Sequence, residues 1–221
     1  MAYHYVKVWD VFVRLHHWLI LALMAVSYAT ARAHRMDWHM LSGYAILTLV
    51  IFRILWGFFG SESARFARFL RSPAAAWRQL RGLTKAEPDR EPTHNAAGGW
   101  MVLLLLCMLL LQAGSGLFSY DQIFTYGPLA KRVPEPVMEA ASALHVRLFY
   151  WLLGAVAVHV TAVALYRVLK GHDLLLPMIT GVKKLPAEVP APKLASPALG
   201  LLLLGLSAGF VWWITTLRIG L

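Results

Sequence analysis

The stretch from Leu144 to about Leu169 constrains this chain most, because it is mostly apolar yet carries His145 and His159. About 20 residues at about 1.5 Å each cross a bilayer as a helix, and this run is long enough. The histidines are 159 − 145 = 14 residues apart, roughly 21 Å along a helix axis and about four turns. Fourteen steps of about 100° fall roughly 40° short of four full turns, so both rings face nearly the same way. They sit near opposite edges of the hydrocarbon layer, where an ionisable residue is costly and marks a functional position. Two imidazoles on one face at opposite depths suggest two redox centres stacked across a membrane.

Composition agrees with a membrane protein. The 221 residues are 59% hydrophobic and 14% charged, against about 25% charged in soluble domains, and mean hydropathy is +0.59. Uniform apolar runs argue for an all-α helical bundle rather than a barrel. The net charge of +10 collects in loops between those runs, which fits a membrane topology and not nucleic acid. Cys107 is the sole cysteine and reads as a small packed residue. No Cys-x-x-Cys-His occurs, which excludes covalent c-type haem, and no cysteine cluster could hold an iron–sulfur centre.

Five apolar runs are expected to span: about Phe12–Ala31, Trp38–Phe59, Ala97–Phe118, the central run, and Ser196–Leu217. The first could be mistaken for a signal peptide ending at Ala29-Thr30-Ala31, but its apolar core is long and Arg14, His16 and His17 interrupt its start. The connections are residues 32–37, 60–96, 119–141 and 170–194, and the 119–141 loop contains three prolines. Ser72-Pro73 reads as an N-cap with proline at the first helical position. Trp77 and Leu80 then alternate with Arg78 and Arg81, as in a helix on an anionic membrane surface or a solvated one. The Lys and Arg excess of 60–96 and 170–194 makes these segments cytoplasmic. The N-terminus is then inside and the C-terminus outside, with Trp212 and Trp213 in the outer aromatic belt.

With the spans so oriented, His16 and His17 lie at the inner edge, His39 at the outer edge, His145 outer and His159 inner. Depth alone yields two pairs: His17 (or His16) with His159, and His39 with His145. Each joins two different helices at one level, as bundle cores do when they build cofactor sites. Two axial imidazoles suit a six-coordinate haem for electron transfer, with no open iron position for oxygen. Zinc prefers four ligands in a tetrahedral site, and each level offers only two or three. Arg14 and Arg53 fall at the inner edge, able to neutralise haem propionates or to reach lipid phosphate. Gly43 lies one turn after His39, where a missing side chain lets a flat macrocycle or another helix approach.

These residues resemble the bacterial cytochrome b561 and nickel–iron hydrogenase b-type cytochrome family over about residues 6–185. Val8-Trp9-Asp10 followed by Arg14-Leu15-His16-His17-Trp18 is similar to the family's opening motif. There the histidine just before the tryptophan is the ligand, which selects His17. His39-x-x-x-Gly43-Tyr44 with Arg53-x-x-Trp56-Gly57 is similar to the second-helix motif. His94-Asn95, Gln112, the His145/His159 spacing and Pro177-Met178-Ile179-Thr180-Gly181 also fit. The resemblance implies a four-helix domain over 1–185 holding two haem b, His17/His159 inside and His39/His145 outside. Residues 186–221 would add a linker and a fifth helix that docks or faces lipid. It also implies a quinone site near the inner haem contacted by His94 and Asn95, although Asn95 as a helix N-cap and His94 as loop surface is the plainer reading of the same residues. His16 departs from the family, which usually has an aromatic or apolar residue there.

Three functions compete. In the first, an inner-membrane electron-transfer subunit passes electrons between the quinone pool and a periplasmic c-type cytochrome or hydrogenase-like enzyme, and the catalytic chemistry belongs to the partner. In the second, a stand-alone superoxide:ubiquinone oxidoreductase uses Arg35, Lys131 and Arg132 to steer its anion. In the third, the protein is a non-redox membrane anchor or transporter whose histidines pack or relay protons.

Overall fold

The computed structural model describes residues 2–85 and 87–216. In chain order the elements are strand β1 (Tyr3–Lys7), α1 (Val11–Arg32), α2 (Met36–Phe59), the short α3 (Phe66–Phe69), α4 (Pro73–Arg81), α5 (Ala96–Phe118), α6 (Glu135–Lys170), α7 (Leu175–Thr180), β2 (Val182–Pro186) and α8 (Pro197–Thr216). Helices α1, α2, α5, α6 and α8 are each long and apolar enough to cross a membrane. The chain is a helical, multi-pass membrane bundle. The end of the fifth apolar run, Leu217, lies outside the described residues.

Helix α6 begins at Glu135 rather than Leu144, so the 119–141 loop is shorter than its prolines suggest. The Pro134 carbonyl accepts the N–H groups of Val137 (2.9 Å) and Met138 (3.2 Å). Pro136 falls in the first turn, where no backbone N–H is needed. At 36 residues, α6 extends about 54 Å, well beyond a hydrocarbon layer of about 30 Å. The remaining loop is built on Asp121, whose Oδ1 accepts the N–H groups of Ile123, Phe124 and Thr125 at 2.8–2.9 Å. Burial pushes the Asp121 carboxyl up, but these bonds outweigh it and hold it below the usual aspartate range.

Contacts divide the chain into two compact units, one of residues 2–16, 54–105 and 155–200, the other of 17–53, 106–154 and 201–216. In the first unit β1 and β2 pair antiparallel, with Tyr3 opposite Pro186 and Lys7 opposite Val182. This ribbon adds a small strand pair to an otherwise all-α chain. It leads into Gly181, whose carbonyl accepts the N–H groups of Val8 (2.8 Å) and Trp9 (3.1 Å). Gly181 caps α7 in the left-handed region (φ +85°), and a Cβ there would meet the Trp9 carbonyl at 2.8 Å. Gly181→Ala is therefore expected to cost about 2 kcal/mol, from left-handed backbone strain plus that clash, read as a lower thermal midpoint of the purified protein. Lys183 fastens β2 to the 60–96 connection, donating to Asp89 (2.7 Å) and to the Glu91 carbonyl (2.8 Å).

The segment leading into α8 is tied to the end of α2. Glu62 N–H donates to the Lys193 carbonyl (2.9 Å), and Lys193 and Ala195 N–H groups donate to the Glu62 carboxylate and Ser61 Oγ (both 3.0 Å). The bond from Lys193 holds the Glu62 carboxyl below its ordinary range. Helix α8 is buried along one stripe, Gly200, Leu203, Ser207 and Val211, spaced as helix periodicity requires. At one end Gly200 admits the Phe12 ring, which a Cβ would strike at 2.3 Å. In the second unit Val211 packs with Leu47 and Leu117. The rest of α8 is mostly exposed, so this helix both docks by one stripe and turns its other sides outward. Cys107 is exposed on α5, not packed as its apolar setting suggests, because it lies on the side of that span facing away from the protein.

Candidate functional site

The motif residues of the first unit meet one another. Asp10 caps α1, its Oδ1 accepting Val13 N–H (2.9 Å), while its Oδ2 accepts the Trp56 indole N–H (3.0 Å). Both are buried, Asp10 at 6% and Trp56 at 0% exposure. The Trp56 ring packs on Phe12, and Gly57 leaves room for Phe66, whose ring a Cβ would overlap. Arg14 donates from Nη1 to the Ile179 carbonyl (2.7 Å), a cation at the C-terminal end of α7. In the sequence Arg14 reads as a propionate or lipid contact; the structure has it bridge the opening motif to Pro177–Gly181.

The second unit brings His39 of α2 and His145 of α6 together, ring centroids 6.0 Å apart and planes at 88°. His39 Nδ1 lies 2.9 Å from the Ser27 carbonyl, and His145 Nδ1 lies 2.8 Å from the Gln112 carbonyl. A carbonyl oxygen only accepts, so each Nδ1 carries the proton and donates. His39 Nε2 is then left with its lone pair, the state a metal-ligating histidine needs, while the His145 Nε2 lone pair faces the Gln112 amide nitrogen at 3.4 Å. Gln112 Nε2 returns a bond to the His145 carbonyl (3.0 Å), clamping the turn of α6 that bears the ring.

The spacing fits a shared metal. Two metal–imidazole bonds of about 2.0–2.1 Å, plus about 1.1 Å from each nitrogen to its ring centre, separate the centroids of a coaxial pair by about 6.3 Å. Gly43, one turn from His39, has open space where a Cβ would stand, as a flat macrocycle beside the helix would require. Among the described residues no group of three or more His, Cys, Asp or Glu converges. An iron porphyrin asks only two ligands of the protein, since its macrocycle supplies four nitrogens. Gly116 of α5 sets the His145 position, because a Cβ there would come within 3.0 Å of the imidazole. Gly116→Val is expected to displace the ring; if His39 and His145 hold one of two haems, as proposed below, the variant should retain about half the haem per chain with the protein still folded.

His17 of α1 belongs to the second unit and His159 of α6 to the first, and both are half-buried. His17 meets Trp18 edge-on at 5.0 Å. His16, its neighbour, is half-buried too. Arg53 is buried at 4% exposure in α2. Asn95 is the N-cap of α5, its Oδ1 accepting Gly98 N–H at 2.7 Å. His94 is not loop surface: its ring lies 4.8 Å from Trp9 and 5.0 Å from Phe69.

Sequence reasoning does not single out Ser27 or Gly116. Two of the decisive partners are backbone carbonyls, which no side-chain pattern reveals. Gln112 is visible as a polar residue inside an apolar span and as part of the family resemblance, but its bond to the His145 turn is not.

Apolar spans carrying converging imidazoles define a membrane bundle that holds a cofactor between its helices. The sequence profile of prokaryotic cytochrome b561 matches residues 8–181, and the chain belongs to that family. It is a membrane b-type cytochrome of electron transfer. No curated protein and no solved structure matches the chain.

Proposed function

We propose that the chain holds two b haems, one between His39 and His145 and one between His17 and His159, in a domain spanning 1–185. It would carry electrons between the quinone pool and a periplasmic redox partner, a c-type cytochrome or a hydrogenase-like enzyme. The observation that supports this most is the His39–His145 spacing of 6.0 Å with both Nδ1 atoms committed to carbonyls. Haem supplies a one-electron iron couple when bound. The Ser27 and Gln112 carbonyls hold the rings and their tautomers, and the two imidazoles would hold the haem and shield its iron from oxygen. Arg53 and the guanidinium edge of Arg14 not bonded to Ile179 would face propionates.

A quinone would sit near His94, whose ring lies among aromatic neighbours. Asn95 Oδ1 is engaged as a cap, so its amide N–H groups would make the contact. The positive charge of the 60–96 and 170–194 connections supports an inner-membrane placement with the N-terminus cytoplasmic and the C-terminus periplasmic. The 186–221 segment would then be an appended docking helix.

A reduced-minus-oxidised spectrum of the purified chain tests the reading. A b-type α-band with two haems per chain is expected; its absence would leave the non-redox anchor. Reduction of that haem by superoxide alone, at a rate that falls when Arg35, Lys131 and Arg132 are neutralised, would replace the partner-linked reading with the stand-alone oxidoreductase.

A further inference from the structure

A second binding site lies in the first unit, apart from the histidines. Helix α4, the start of α5 and the end of α6 enclose an open cleft of about 370 Å³, with Arg71, Arg78, Lys85, Lys170, Glu87 and Glu91 around it. Arg71 and Glu91 cancel, joined by two bonds of 2.7 Å. Among the described residues Arg78, Lys85 and Lys170 form no ion pair, so three cations face a single further carboxylate, Glu87. A cleft of this charge is built for an anion with several oxygens.

Its position selects the anion's source. Helices α5 and α6 are membrane-crossing by length and composition, and the cleft lies where α5 begins, at Ala96, and α6 ends, at Lys170. Helix α5, at 23 residues, is close to the length of one crossing, so its start, rather than the end of the overlong α6, sets the cleft at the membrane–water interface. Helix α4 is amphipathic: Trp77 and Leu80 are exposed at 56% and 48%, with the Arg81 guanidinium 5.0 Å over the Trp77 ring. Trp77 and Leu80 lie outside the cleft's lining, on the other side of α4, so this short helix offers cations on one side and apolar groups on the other, as a helix at an anionic bilayer surface does. The scaffold is fixed rather than loose. Trp100 indole N–H donates to the Arg71 carbonyl (3.0 Å), Ala97 N–H to Gln79 Oε1 (3.4 Å), and Ser72 Oγ caps α4 by accepting Ala75 N–H (3.3 Å).

We propose that this cleft is a site for the headgroup of one anionic phospholipid, its phosphate held by Arg78, Lys85 and Lys170. The lipid pins α4 to the ends of two spans. Such a site requires the chain to be a membrane protein but does not depend on the haem pairing.

The test uses the delipidated full-length protein in neutral detergent, with lipid retention read by native mass spectrometry and stability by thermal unfolding. Phosphatidylglycerol is expected to bind and raise the midpoint, with phosphatidylcholine much weaker. Replacing Arg78, Lys85 and Lys170 together by Gln should weaken phosphatidylglycerol about 100-fold, at roughly fivefold per cation near an anionic headgroup. The same change at Lys7, Arg32 and Arg132 should leave binding unaltered. If the triple variant does not fold, Lys85→Glu alone at an exposed position carries the test, with at least a tenfold loss expected. Equal binding of phosphatidylcholine, or full phosphatidylglycerol binding by the charge-removed variant, would overturn the proposal. So would inorganic phosphate alone occupying the cleft and displacing the lipid at millimolar concentration, which would make it a site for a soluble anion.

Discussion

His159→Ala is expected to give a protein that folds and inserts but keeps only one haem, so haem per chain falls by about half. The reason lies in α6. Its two histidines stand on nearly one face about 21 Å apart, too far for both to reach one iron, so in the proposed pairing each would serve its own level. Removing His159 would take one proposed ligand from one level and leave His39, His145 and their carbonyl partners Ser27 and Gln112 intact. His145→Ala should do the reverse. His17→Ala should reproduce His159→Ala, while His16→Ala should leave both haems in place. Haem per chain by pyridine haemochrome, with electron paramagnetic resonance of the remaining low-spin iron, reads all four variants. Two intact bis-imidazole haems in His159→Ala would refute the pairing; loss of both would show that the levels are not independent.

Each part of the molecule is legible in the amino-acid sequence to the degree that side chains write it. The spans are written as charge-poor runs of about 20 residues, and apart from the start of α6 their ends agree with the described helices to a few residues. Asn95 and Ser72 announce their caps because the capping atom is a side chain. The β1–β2 ribbon leaves no such trace. Two five-residue strands, YHYVK and VKKLP, are too short to show alternation, and they pair across nearly the whole chain. The start of α6 is hidden because Pro134 and Pro136 read as loop residues although both suit a helix entry. Depth along the spans pairs His39 with His145, and their rings do lie 6.0 Å apart. What orients those rings is two main-chain oxygens, and main-chain oxygens are the same at every position of a sequence.

The motif residues that carry no ligand have a larger structural role than their spacing suggests, and Asp10→Ala is expected to expose it with a loss of about 2–4 kcal/mol. Two separate effects add. The α1 N-terminus loses the acceptor for Val13 N–H, and cap removal costs about 1 kcal/mol. The Trp56 indole N–H loses its acceptor while its side chain stays fully buried, and an unsatisfied buried donor costs about 1–3 kcal/mol. The two effects separate in a double-mutant cycle. Trp56→Phe removes the donor, so in that background Asp10→Ala should cost only the cap, leaving a coupling of about 1–3 kcal/mol. Asp10→Asn should fall between, since one carboxamide oxygen can serve either the cap or the indole but not both. Thermal unfolding of the purified variants measures the set. Additive losses would mean that the indole finds another acceptor, and the Asp10–Trp56 bond would then contribute nothing to holding the start of α1 against the end of α2.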